Sequence, residues 1–462
     1  MHDNRLRRRQ TLALLPVALM YKLSDAACNQ LALFEKSMPF GGKLAPENRW
    51  IRLTALVDWQ TLEIAYAKNF AETGRPGLSA RLVIGALIVK HKLQISDEEA
   101  LQQIIENPYL QYFIGLERFA TAPPFASSTL THVRKRLGED AFAAFEEMLV
   151  NTLIARKLIK TRGLHVDATA FESEITFPTD TRLLNKAREF CVKQIDKLGK
   201  AVGQKVRTYR RVAQKEYLAF NKKRRKTKKQ IRLMKKHLLQ YLRRNVRQLS
   251  ELLEQAQAAG GVVAEKVKER FETVKTIYDQ QKEMYDEKKH TVKNRVVSLH
   301  KDYVRPIVRG KCGKNVEFGA KVNLSHVNGF MFADYLSFDN FNESLWLKHS
   351  IEAFKKRFDR LPDYVCVDHI FGTRENRAYL KEQGIRTTVK PLGRKKKAPA
   401  SDAERRWRRR KQKERNQIEG GIGHCKKNYH LGSVRAKLPE TEQAWIRMGL
   451  FTRNLMIANA KT

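Results

Sequence analysis

Between residues 182 and about 299 the chain shows no strand alternation and takes up a helical period. This interruption constrains the fold more than any other feature. Ile231, Met234, Leu238, Leu242, Val246, Leu249 and Leu253 recur at steps of three and four. After Gly260-Gly261, a second stripe runs through Val267, Phe271, Val274, Tyr278, Gln281 and Tyr285. Two such stripes joined by a glycine turn predict an antiparallel pair of long helices. Strand-like segments flank it on both sides. Upstream, GLHVDATAFE alternates, with Leu164 and Val166 on one face and His165, Asp167 and Thr169 on the other, and EITFPTD reads as a second short strand. Downstream come NVEFGAKVNLSHVNG, FMFADYLSF, YVCVDHIFG (a buried strand ending at Asp368) and IRTTVK. Helices are expected at 343–359 and in RENRAYLKEQG. Strands before and after a helical hairpin imply one α/β domain, 151–181 plus 300–462, interrupted by an insertion at 182–299.

The first 150 residues read as all-α. SARLVIGALIVKHKL is apolar at helical spacing, and SDEEALQQIIENPYLQYFIGL offers Ser96 as a cap with Glu99 three residues on. PPFASSTLTHVRKRLG predicts a short helix capped at Ser127 or Ser128 and carrying Arg134, Lys135 and Arg136. A short capped basic helix after a turn has the form of a major-groove reader, and equally that of a solvated surface helix. Residues 1–150 are therefore expected to form a DNA-binding domain.

Charge favours the DNA reading. The 462 residues hold 90 Lys and Arg against 49 Asp and Glu, a formal net charge of +41. Such an excess speaks to partners, not to fold. Residues 201–250 hold 18 basic residues and one acid, Glu216, an imbalance that repels itself unless a phosphate backbone relieves it. The insertion would grip DNA or a partner subunit. No apolar run reaches the ~20 residues of a membrane span. RLRRRQTLALLPVALM imitates a secretory signal, but Pro16 interrupts its apolar part and Asp25 precedes AAC, which argues against cleavage. Five cysteines without a CxxC fit a reducing compartment and no zinc site. A cytoplasmic, nucleoid-associated protein is the expectation.

Three acids stand out by position: Asp167 on a strand, Asp368 at a strand end, and Glu419 in a basic helix. Each has an ordinary reading, as a turn cap or a solvated side chain. Together they suit a crevice at strand ends where carboxylates hold divalent metal ions. Phosphodiester cleavage needs an activated nucleophile and a stabilised leaving oxygen, which two Mg²⁺ ions about 4 Å apart supply. Arg415, Glu419 and Lys426 fall on one helical face, a carboxylate flanked by cations suited to phosphates.

These residues, with PFGGKLAPENRWIRL, ALIVKHKLQISDEEALQQIIENPYLQYFIGL, GLHVDATAFESEITFPTDTRLLN, YVRPIVRGK and LSFDNFNES, make the chain similar to the DDE transposases of bacterial insertion sequences, in the branch named after insertion sequence five. The resemblance covers most of the chain beyond residue 39. It implies an RNase H-like catalytic domain with metal ligands at Asp167, Asp368 and Glu419, binding two Mg²⁺ ions with Mn²⁺ as an alternative. It also implies double-stranded DNA with terminal inverted repeats and a target DNA as substrates, with a homodimer on DNA as the working form. Arg415, Glu419 and Lys426 match the family's Tyr-Arg-Glu-Lys signature, whereas its tyrosine position is Gln412. After Asp368, His369-Ile370-Phe371 stands where relatives have a basic residue, glycine and an aromatic. A metal-dependent nuclease without strand transfer, and a non-catalytic DNA-binding derivative, are the competing readings.

Overall fold

The computed structural model describes residues 31–70, 76–260, 262–308, 316–389 and 401–462. The signal-like stretch, Cys28, Cys312 and residues 391–400 of the basic segment before Glu419 lie outside them. The chain divides into two compact units. One comprises the residues up to Glu172 with Lys321–Ser337 and Phe341–Thr462, and the other Ser173–Ala320 with Phe338–Asn340. Among the described residues, no helix is long and apolar enough to cross a membrane.

In the first unit, helices at Arg49–Leu56, Trp59–Ala67, Ala80–Leu93, Asp97–Glu106, Pro108–Phe113, Ser128–Arg136 and Glu139–Ala155 precede the sheet. Several starts are written locally. The side chains of Asn48, Asp58, Ser79 and Ser96 each accept a bond from a first-turn amide that has no partner within the helix. The middle of Ala80–Leu93 is buried all round, from Val83 to Val89, so it is a core helix. It packs on the C-terminal helix, Pro439–Lys461. One continuous core holds Leu53, Leu62 and Phe113 together with Leu164, Val166, Val365 and Leu455. The helices before residue 150 and the sheet thus share a core, and residue 150 is not a boundary between compact units.

The strands are β1 (Gly163–Glu172), β2 (Pro306–Val308), β3 (Val316–Val327), β4 (Phe330–Ser337), β5 (Tyr364–Cys366) and β6 (Arg386–Thr387). Along the sheet the order is β3, β1, β5, β6, with β4 antiparallel to β3 and with β5 parallel to both β1 and β6. β2 pairs antiparallel with the start of β3 inside the second unit. The expected one-sided alternation of β1 is not seen. His165 and Thr169 are buried like Leu164 and Val166, because helices Leu347–Phe358 and Asp402–Asn428 both pack on the strand. EITFPTD is not a strand either: residues 174–179 have no regular structure, and Phe177 is exposed.

The second unit is helical: Asp180–Ala201, Arg210–Lys222, Lys228–Ala258 and Glu265–Asp286. The last two form the hairpin, and Gly260 takes the left-handed conformation (φ 71°) that its turn needs. Thr227 and Gln230 close a reciprocal capping box at the start of the longest helix. The hairpin does not stand alone, since Leu184, Cys191 and Ile195 of the Asp180–Ala201 helix join Leu238, Leu242, Leu249, Val274 and Ile277 in the unit's core.

Candidate active site

The sheet brings two acids towards the same end of neighbouring strands. β1 and β5 pair as Gly163↔Tyr364, Leu164↔Val365 and His165↔Cys366. Asp167 and Asp368 each follow the last of these pairs by two residues, Asp167 within β1 and Asp368 just past the end of β5. The paired parts of parallel neighbours lie about 4.8 Å apart. Gly163 permits this approach: a Cβ there would stand 2.3 Å from the Tyr364 ring.

The two acids have different surroundings. Asp167 is half-buried and accepts a bond from the Ala168 amide (2.8 Å). Burial pushes its carboxyl up to about 6; Glu343 and Glu419 add to the rise, while the Ala168 amide and Arg415 oppose it. Asp368 is more exposed and caps the short turn His369–Phe371, accepting from the His369 amide (2.7 Å) and facing His369 Nδ1 at 2.9 Å. Burial works to raise its pKa, but the His369 bonds and the charge of Arg415 outweigh it and hold the carboxyl below its usual value.

Helix Asp402–Asn428 delivers the rest. Lys411 Nζ lies 2.7 Å from both the Tyr364 hydroxyl and Glu414 Oε2, which clamps the helix to β5. Ile418, Gly421 and Cys425 face inward, and a Cβ on Gly421 would stand 2.7 Å from Met331 Sδ. The opposite consequence of this anchoring is that Arg415 and Glu419 project together. Arg415 Nη2 donates to Glu419 Oε1 at 3.1 Å, and its buried Nε has no hydrogen-bond partner. The same guanidinium acts on Asp167 and on Asp368. The charge of Arg415 thus favours the ionised form of both aspartates, while its side chain is paired with Glu419. Lys426 is half-buried, its ammonium 5.9 Å from the centre of the Phe171 ring.

Comparison with known proteins finds two matching domain families. A family described as "Transposase DDE domain" matches residues 365–456, and "Transposase domain (DUF772)" matches residues 39–136. The "Uncharacterized protein ORF8 in nfe locus" of Rhizobium meliloti is 34% identical over 174 residues, which span 37% of this chain and 82% of that protein. The chain thus matches transposase domains in two separate stretches. No solved structure matches it. The first match holds Asp368, Arg415, Glu419 and Lys426, whereas Asp167 lies outside both.

The donor types fit hard divalent cations: they are carboxylate oxygens, one of them half-buried and raised in pKa by that burial. The arrangement itself is closed. Among the described residues, no group of three or more His, Cys, Asp or Glu side chains could hold a metal ion as it stands. Asp368 is engaged by His369, and Glu419 by Arg415.

The basic helix Ser128–Arg136 divides differently from what its sequence suggests. Arg134 is buried; its guanidinium forks onto Asp97 (3.0 and 2.5 Å) and lies over Trp445. Arg136 covers the Phe70 ring, and Lys135 is exposed. One acid escaped the sequence reading. Glu343 lies in the turn Glu343–Trp346, pairs with Lys321 (3.0 Å) and raises the pKa of Asp167. Its segment, LSFDNFNES, carries part of the family resemblance, but nothing in its spacing singles out Glu343.

Proposed function

We propose that this chain is a transposase that has an RNase H-like catalytic fold and uses divalent metal ions to cleave the ends of its own element and join them to target DNA. The observation that supports the proposal is the position of Asp167 and Asp368 two residues past the last paired residues of neighbouring parallel strands, with the charge of Arg415, itself paired to Glu419, acting on both. Asp167 and Asp368 would hold a shared ion, and Glu419 would complete the second site. When bound, Mg²⁺ or Mn²⁺ supplies positive charge to the attacking and leaving oxygens. The protein's own residues do the remainder. The burial that disfavours an ionised Asp167 is offset once a cation is beside it, so the site gains charge and ligand together. Arg415, released from Glu419, and Lys426 hold phosphates of the strand being cut. Gln412 can donate a hydrogen bond to a phosphate but, unlike tyrosine, cannot ionise. The helices before residue 150 would read the terminal inverted repeats of double-stranded DNA, with Lys135 presented outward, and a homodimer would bring two ends together.

The test is a cleavage and joining assay with Mg²⁺ on duplexes made from the DNA flanking the gene. Asp167→Asn, Asp368→Asn and Glu419→Gln should each lose about 100-fold or more in rate, since the charge they hold in place contributes several kcal/mol to the transition state. Full activity in any of the three would remove that residue from the site. Cutting without any joined product would identify a nuclease instead.

A further inference from the structure

The Lys228–Ala258 helix carries a row of cations with a character of its own. Lys229, Arg232, Lys236, Arg243 and Arg247 follow one another at steps of three, four and seven, which places them on one helical face, and all five are exposed. At 1.5 Å per residue the row spans about 27 Å. Cations that point inward from the same helix have partners: Lys235 pairs with Asp180, and Arg244 lies 4.5 Å from the centre of the Tyr209 ring. Within the row, Arg247 meets Glu251 (3.4 Å) and Arg232 covers Tyr285. Lys229, Lys236 and Arg243 meet no carboxylate among the described residues.

The neighbouring arm shows that this is not a general coating of charge. Glu265–Asp286 has 6 acids against 5 bases, with pairs such as Lys275–Glu272 (2.8 Å) along its surface. Residues 228–250 have 8 bases and no acid. Beside the row lies a second basic feature, an open groove of about 810 Å³ lined by Lys200, Lys205, Arg207, Tyr209, Arg210 and Arg211. The Tyr209 ring sits between the guanidiniums of Arg207 and Arg244, at 4.6 and 4.5 Å. Gln248 donates to the Arg207 carbonyl (3.2 Å), so groove and row adjoin.

We propose that the second unit carries its own binding surface for the phosphate backbone of double-stranded DNA, with the Lys229–Arg247 row and the Lys205–Arg211 groove as one footprint. Lysine is depleted from the cores of protein–protein interfaces. A row of exposed cations at a polyanion instead gains from the release of condensed counterions. This surface recognises charge and spacing, not bases, and it does not depend on the assignment of the three acids.

The experiment is the binding of the full chain to a random-sequence duplex, followed by fluorescence anisotropy over a range of salt concentrations. Lys229→Glu, Lys236→Glu and Arg243→Glu together should weaken binding about 10-fold or more. They should also reduce the slope of log affinity against log salt by about 2 to 3, since each lost phosphate contact removes about 0.9. Lys266→Glu, Lys268→Glu and Lys282→Glu together change net charge equally on the balanced arm and should alter binding less than about 2-fold. Melting temperatures of both variants should match the wild type. Equal losses in the two variants would mean that net charge alone binds DNA, and would overturn the proposal. So would a first variant that binds DNA normally but loses self-association in sedimentation, which would assign the row to a protein partner. Asp167→Asn should bind the duplex as the wild type does, whatever becomes of its chemistry.

Discussion

In the first unit several acids gather around single cations, whereas residues 228–250 of the second set cations on the surface with no acid among them. In the first, Arg415 pairs with Glu419 and its charge acts on Asp167 and Asp368, and the buried Arg357 is held by Glu146 (2.5 Å) and Asp334 (2.7 Å). In the second, Asp180 sits between Lys235 and Arg295, and the long basic helix turns Lys229, Arg232, Lys236, Arg243 and Arg247 outward. The lesson is that a net charge of +41 says nothing about where charge is expensive. Burial decides that. A charge facing water is screened and contributes little, whereas one taken out of water must be matched or it costs several kcal/mol.

The comparison is broken most severely at Arg357. Arg357→Leu would strand two carboxylates, one of them, on Asp334, with no exposure at all. A loss of about 3–5 kcal/mol is expected in denaturant unfolding of the first unit's transition. A result within experimental error of the wild type would show that buried charge is not what separates the units. Gly163→Val comes next, since its side chain would meet the Tyr364 ring and push β1 from β5. We expect a cost of about 1–3 kcal/mol, together with loss of cleavage beyond what the stability change explains, because the strand bearing Asp167 would shift against the one leading to Asp368.

A pH series sharpens the contrast without altering the site. His326 is buried, and burial, aided by His165, Arg453 and Lys461, lowers its pKa from 6.5 to about 3. The folded imidazole stays neutral through this window, while the unfolded one takes up a proton near 6.5. Below 6.5 the unfolded state therefore binds more protons, and this contribution to stability falls as pH falls, by at most about 1.4 kcal/mol per pH unit. Thermal unfolding from pH 7 to pH 5 should fall less steeply in His326→Phe than in the wild type. Parallel curves would remove His326 as a source of acid sensitivity. The smallest effect belongs to the second unit's surface: Lys275→Ala breaks the pair with Glu272, at a cost of about 0.2–0.5 kcal/mol in urea titration.

Features that depend on near neighbours are legible in the sequence. The hairpin, its Gly260 turn and the Ser96 cap all follow from residue spacing, because a helix is closed by bonds four residues apart. EITFPTD misleads because it has a strand's composition, but it contains Pro178, which lacks an amide to donate to a ladder. Arg134 misleads for another reason: a basic residue on a short helix looks solvated until Asp97, 37 residues away, is found beneath it. Glu343 shows the reverse, an acid whose importance lies wholly in the distant Asp167 it stands beside.

By itself, then, the sequence determined where the helices and most strands run, how unevenly charge is distributed along them, and which acids have a type and position suited to metal chemistry. Only the tertiary structure decided that the strands bearing Asp167 and leading to Asp368 run side by side, that Arg415 pairs with Glu419, and which cations are spent inside the protein and which remain on its surface. The physical reason is range. Periodicity and capping are settled within a few residues, whereas strand register and the pairing of buried charges join segments hundreds of residues apart and exist only once the chain has closed on itself.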